Sequence, residues 1–191
     1  MKVSGDQVAD NRRNILASAD RLFAERGFEA VSLAEVMKEA GLSHGGFCGH
    51  FKSKEDLVVQ PCAHAVRPDE DDEAKTLLDY YTSYLSAYHR DHRAEWCAFA
   101  ALGREAARQP VAARHELTEG LRRMIDRLGN VALDKDAAAR RAQAITSFST
   151  MLGALVLARM IDDPALSDEV LTANRDALAK PRKSEPNGRK R

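Results

Sequence analysis

Residues 32–54, SLAEVMKEAGLSHGGFCGHFKSK, constrain the chain more than any other stretch. Ser32 followed three positions later by Glu35 supplies the side chains of a capping box, which satisfies backbone N–H groups left open at a helix start. A helix is therefore expected from Leu33. Leu33, Val36, Met37 and Ala40 fall at i, i+3, i+4 and i+7, so one face of about two turns is buried. Gly41 ends this helix, because glycine takes a left-handed cap without steric cost. Only Leu42 separates it from Ser43, the expected cap of a second short helix. There Phe47, His50 and Phe51 fall towards one side, and His44, Gly45, Cys48, Gly49 and Lys52 towards the other. Two short helices around a tight glycine turn match the helix-turn-helix, whose second helix enters the major groove of duplex DNA. Ser53 with Asp56 repeats the capping pattern, so a further helix is expected from Lys54, with Lys52 and Lys54 beside an amino terminus suited to a phosphate.

The same residues resemble the TetR/AcrR family of bacterial transcriptional repressors. The resemblance is carried by Ile15, Leu16, Ala19, Leu22, Phe23, Gly27 and Phe28, then by Ser32, Val36 and Ala40-Gly41-Leu42-Ser43, and then by Gly46-Phe47, His50-Phe51, Ser53-Lys54-Glu55 and Leu57. It covers roughly the first third of the chain, and beyond Leu57 only the family's general plan applies. The resemblance implies DNA contacts from Ser32, Ser43, His44, Gly45, Cys48, His50, Lys52 and Lys54. One departure is Cys48, where the family commonly carries a tyrosine that contacts a phosphate; cysteine is too short to span that distance. Gly45, Gly46 and Gly49 each cost up to about 1 kcal/mol relative to alanine inside a helix, so a weakly self-stable recognition helix is expected. Base readout then falls to His44 and Ser43, with backbone contacts and DNA shape supplying the rest.

Charge balance gives no separate hint of nucleic acid. The chain holds 29 basic and 29 acidic residues, and residues 1–60 hold eight basic and nine acidic. DNA binding would rest on a local stripe, Arg12, Arg13, Lys52 and Lys54, presented twice in a dimer. Three cysteines without a secretory signal point to a reducing cytoplasm and no disulfide framework. The longest uncharged stretch, residues 142–158, is shorter than the roughly 20 residues of a spanning helix, so no membrane partner is expected.

In chain order, residues 8–26 form an amphipathic helix closed by Gly27. Domain limits follow: a DNA-binding unit at 1–53, a connecting helix at 54–67 that Pro61 bends and Pro68 ends, an effector-binding and dimerisation unit at 68–180, and a basic disordered tail at 181–191. Asp69 to Asp72 form an acidic run that suits a helix start. A helix over 74–90 carries Leu77, Tyr81, Tyr84 and Tyr88, a stripe that reads either as core or as ligand cage. Trp96, Cys97, Phe99 and Leu102 open a shorter helix ending before Pro110. Leu117, Leu121, Met124, Ile125 and Leu128 stripe the next helix, which Gly129 terminates. Asp134 is expected to cap a long helix over 135–160 with an apolar face of Ile145, Phe148, Leu152, Leu155 and Val156. A last helix is expected from Ser167. The family resemblance makes the last two helices a dimerisation pair that forms a four-helix bundle with its twin.

The resemblance also implies a small-molecule effector, for which Tyr81, Tyr84, Tyr88, Trp96, Cys97, Phe99 and Phe148 are the candidate contacts. Cys97 beside Trp96 reads as inert or as an electrophile-sensing thiol. Cys48-Gly-His50 and Cys62-Ala-His64 place their ligands two apart, which points helical side chains away from one another, so no metal is expected. His89 and His92, at i and i+3 near a helix end, read as solvent-facing side chains. No catalytic triad order, paired carboxylates, phosphate loop or dinucleotide fingerprint is present, which gives no sign of an enzyme or a cofactor. The expectation is an all-α homodimer that releases a palindromic operator when an effector binds. The alternative from another class is an effector-binding helical protein with weakened DNA binding, acting through protein contacts.

Overall fold

A computed structural model describes residues 5–54, 56–57, 76–92, 99–100 and 107–180. Its described elements are helical: α1 (Gly5–Arg26), α2 (Leu33–Glu39), a 3-10 turn η1 (His44–Gly49), α3 (Leu77–Tyr84), α4 (Ala87–Asp91), α5 (Val111–Asn130), α6 (Ala137–Met160) and α7 (Pro164–Ala179). The expected Pro61 bend, the acidic run, the Cys62 and His64 pair, Trp96, Cys97 and the basic tail lie outside the described residues. No described helix is long and apolar enough to cross a membrane.

Two apolar cores organise these elements. The first is built on Ile15, Leu22 and Phe23 of α1, Val36 and Met37 of α2, and Phe47, Phe51 and Leu57. The second gathers Tyr81 and Leu85, Ile125 and Leu128 of α5, Phe148, Met151 and Ala154 of α6, and Leu171 of α7. One helix serves both: Ala113 and Leu117 at the start of α5 belong to the first core, and its last turns belong to the second. Phe99 packs against both.

Capping explains where several elements start. Ser32 accepts from the Glu35 amide at 3.3 Å while the Glu35 carboxylate accepts from the Ser32 amide at 2.8 Å, the reciprocal box expected. Gly27 and Gly41 have φ of 83° and 72°, the left-handed turns that release the chain from α1 and α2.

Elsewhere the structure corrects the sequence reading. Helix α1 starts three residues earlier than expected, at Gly5. The single helix expected over 74–90 is two, because Ser86 accepts from the His89 amide at 3.1 Å and donates to the Ser83 carbonyl at 2.8 Å. That side chain competes with the helical ladder and restarts it as α4. Gly129 lies inside α5, which runs on to Asn130, because its φ is not positive. Asp136 rather than Asp134 caps α6, accepting from Ala139 at 2.8 Å. Helix α7 starts at Pro164 rather than Ser167, since Asp163 caps it and proline suits the first turn, where its missing N–H costs nothing. The expected apolar face of α6 is divided: Phe148 and Leu155 are buried inward, whereas Ile145 is 42% exposed on the outer side.

His89 is the largest departure. It is fully buried, its Nδ1 donates to the Tyr84 carbonyl at 2.8 Å, and the Tyr84 ring meets it edge-on at 4.5 Å. The signal was present in the sequence, since Tyr81, Leu85 and His89 follow at i, i+4 and i+8, and all three are buried.

Burial pushes the His89 pKa down from 6.5 to about 4. The unfolded chain therefore takes up the proton first, and stability is lost as pH falls from 6.5 towards 4. On α1 burial pushes Asp20 up to about 6, so that group acts in the opposite sense over the same window. Asp20→Asn removes the opposing group; its unfolding free energy in urea is expected to fall by about 2 kcal/mol between pH 7 and pH 5. No fall in that variant would contradict a neutral, buried His89. Gly41→Ala is expected to cost about 1 kcal/mol through backbone strain alone, since a Cβ there meets nothing. Gly45→Ala, without positive φ and with equally open space, is expected to stabilise by about 0.5 kcal/mol in the same measurement.

Candidate nucleic-acid interface

The turn η1 presents the residues singled out for DNA. It is a 3-10 turn of six residues, not an α-helix, and Ser43 precedes it in extended backbone without a side-chain capping bond. Phe47 is buried at its centre, and Phe51 lies below with the two rings stacked at 5.7 Å. With Phe47 held inward, Ser43, His44, Gly45, Gly46, Cys48 and Gly49 are exposed. Lys52 is exposed just beyond, and the Cys48 thiol is free.

The structure separates the candidates by what their side chains already do. Ser32 donates its hydroxyl to Glu35 at 2.7 Å, so it builds the start of α2. That capping bond from the Ser32 backbone and side chain, ahead of the Arg26 charge, holds the exposed Glu35 carboxyl below its ordinary pKa. His50 is half-buried, with Nδ1 enclosed. Lys54 donates to the Phe28 carbonyl at 2.6 Å and lies 4.3 Å over the Phe28 ring. Arg12 donates to the His50 carbonyl at 2.6 Å and lies 4.3 Å over the Phe51 ring. Arg13 pairs with Asp10 on the surface of α1. Of the expected basic stripe, three members thus have partners within the chain. Ser43, His44, Cys48 and Lys52 keep side chains turned outward.

The next helix is prepared as expected, for Asp56 accepts from the Lys52 amide at 3.0 Å and Ser53 accepts from the Asp56 amide at 3.1 Å. Arg21 ties α1 to α2 through Glu39, and Arg108 reaches Glu29 at 3.6 Å, joining the loop before α5 to the turn before α2.

The effector candidates divide in the same way. Tyr81 is buried with its hydroxyl 2.9 Å from Ser147. Tyr84 and Phe99 meet Phe148 edge-on at 6.1 and 5.5 Å. These four residues and His89 form one aromatic cluster between α3, α4 and α6. Tyr88 is outside it, 52% exposed and stacked on His92 at 3.9 Å.

Residues 15–60 match the family profile of bacterial regulatory proteins of the tetR type. Over 57 residues the chain is 39% identical to YerO, an uncharacterised HTH-type transcriptional regulator of Bacillus subtilis; this is 30% of this chain and 20% of YerO. It is 41% identical over 54 residues to the HTH-type transcriptional regulator AcrR of Shigella flexneri, 28% of this chain and 25% of that one. The chain therefore spans a quarter or less of the length of these two relatives. The whole fold is similar to the reduced form of NemR from E. coli, with a TM-score of 0.72 at 21% identity over 89% of this chain and 95% of NemR. It is similar as well to a TetR transcriptional regulator of Legionella pneumophila, with a TM-score of 0.68 at 19% identity over 93% and 99% of the two chains. The match to the tetR family of bacterial regulatory proteins thus falls on the head built on α1, α2 and η1, and the likeness over the remainder is one of fold.

Proposed function

We propose that the chain is a cytoplasmic, ligand-responsive repressor that binds a palindromic operator as a homodimer. The observation that carries this reading is the outer face of η1 within the family-matched head: Ser43, His44, Cys48 and Lys52 lie together and open to solvent. Its side chains are short, so base contacts fall to His44 and Ser43 and phosphate contact to Lys52. Both histidine and serine can donate and accept hydrogen bonds at a base edge.

The outer side of α6 supports the homodimer. Ile145, Leu157 and Met160 are 42%, 53% and 75% exposed, and Leu166 of α7 is 46% exposed. Ser149 and Gly153 lie between them in an exposed position, and a Cβ at Gly153 would meet nothing within its own chain. A long helix already buried along Phe148, Met151 and Leu155 carries a second apolar side only if something covers it. A second copy of α6 and α7 meets that requirement with a two-fold interface, and two-fold symmetry in the protein matches a palindromic operator.

The aromatic cluster supports a site for an uncharged aromatic effector, with Tyr81, Tyr84, Phe99 and Phe148 as its contacts. A charged effector would be desolvated beside a histidine that is itself held neutral. Phe99 and α5 touch both cores, so an effector that reshapes the cluster moves the head as well, favouring a head spacing that does not fit the operator.

A mobility-shift assay on the DNA upstream of the chain's own coding region tests the reading, with retardation expected at low salt and lost on adding an active effector. His44→Ala is expected to cost about 1–3 kcal/mol on the operator and far less on unrelated duplex. Equal losses on both would remove the base-reading role. Leu157→Glu is expected to sediment as a folded monomer and to lose most operator affinity; a dimer persisting in that variant would place the interface elsewhere.

A further inference from the structure

We propose that Arg12 is a positioning residue of the DNA interface: it fixes the far end of the recognition turn and makes no phosphate contact. This inference rests on the DNA-binding reading above, and it departs from the role that charge and placement gave Arg12 in the sequence.

The turn that Arg12 meets cannot hold its own shape. A 3-10 turn of six residues has poor hydrogen-bond geometry and no length over which to cooperate. Gly45 and Gly49 add freedom, and a Cβ at either would touch nothing, so no neighbouring side chain restrains the backbone there. Gly49 directly precedes His50, the residue whose carbonyl Arg12 grips at 2.6 Å. That carbonyl stands at the carboxy-terminal end of the turn, where backbone oxygens are left without helical partners and where a cation is favoured.

The guanidinium is held on a second side as well, at 4.3 Å over the ring of Phe51. Phe51 is buried in the first core, stacked on Phe47. Arg12 therefore links a rigid helix, a buried ring and the loose end of the turn, across 38 positions of sequence. To reach a phosphate it would have to give up both the carbonyl and the ring. Lysine carries the same charge but lacks the planar fork that stacks and donates together.

The test compares wild type, Arg12→Gln and Arg12→Lys, each first verified as folded by thermal unfolding. Binding to the duplex upstream of the chain's own coding region is measured from low to moderate salt. Arg12→Gln is expected to lose about tenfold in affinity, the size of one charge-assisted hydrogen bond, with the slope of log affinity against log salt unchanged. Arg12→Lys is expected to recover only part of the loss. A slope reduced by about 0.9 per head in Arg12→Gln would mean a lost phosphate contact and would overturn the proposal, as would full recovery by lysine. Amide exchange of the free protein supplies a readout independent of DNA. Protection of the His50 and Phe51 amides, which donate to the Phe47 carbonyl at 2.8 and 3.0 Å, is expected to fall about tenfold in Arg12→Gln while α1 keeps its own. Unchanged protection would sink the clamp even if DNA binding were altered. Wild type that ignores every duplex would instead defeat the DNA-binding reading, with the exchange result still deciding what Arg12 does.

Discussion

The stacking of Phe47 on Phe51 under η1 is the interaction on which the head depends. A turn with three glycines forfeits up to about 1 kcal/mol at each of them if it is to be helical. Two phenylalanines taken almost fully out of water return about 1.5–3 kcal/mol apiece, enough to outweigh that loss. Burial decides the contest, and it does so with direction. Because both rings point into the core of Val36, Met37 and Leu57, the residues between and beside them must point out. The exposed row of His44, Gly45, Cys48 and Gly49 is thus the other side of a packing decision made by two rings. The fold places the proposed DNA-reading surface without stabilising that surface through its own contacts.

The same economy governs the link between the head and the rest of the chain. Helix α5 gives Ala113 and Leu117 to one core and Ile125 and Leu128 to the other, so neither core can be repacked without a strain felt along one rod. Close-packed interiors answer such strain by switching between arrangements more readily than by stretching. Phe99 adds a second bridge, edge-on to Phe148 at 5.5 Å and packed against both cores. An effector that displaced the Phe148 ring would therefore act on the head through van der Waals contact, with no charged relay required.

How much of this could be read from the residues alone divides by the range of the interaction. Local chemistry was legible: the Ser32 and Glu35 box, the left-handed glycines at 27 and 41, and the buried spacing from Ile15 to Phe23 all act within a few positions. Choices between nearby competitors were less so. Asp134 and Asp136 are equally good caps on paper, and Asp136 takes the role because Asp134 accepts the Asp136 amide instead. Long-range contacts were not legible at all. Arg12 and Lys54 look like free cations in the sequence, and only the fold brings them to the His50 and Phe28 carbonyls. His89 passed for a surface residue because a histidine reads as polar, although its spacing after Tyr81 and Leu85 was that of a core position.

Those internal uses of charge bear on how a neutral protein would hold DNA as proposed. Among the described residues of the head, Arg12 and Lys54 are engaged with carbonyls and rings, and Arg13, Arg21 and Arg26 with carboxylates. Exposed pairs of this kind are worth little to stability, yet each lowers the positive potential that a phosphate meets. The counterion release that drives most protein–DNA association is then small for one head, and few long side chains remain to replace it with base contacts. In the proposed reading, affinity comes from presenting the weak head twice at a fixed spacing, where the second contact is made at high effective concentration. In the proposed dimer the uncovered side of α6 is for that reason part of the DNA-binding apparatus, and a change in head spacing of a few ångströms is enough to undo it.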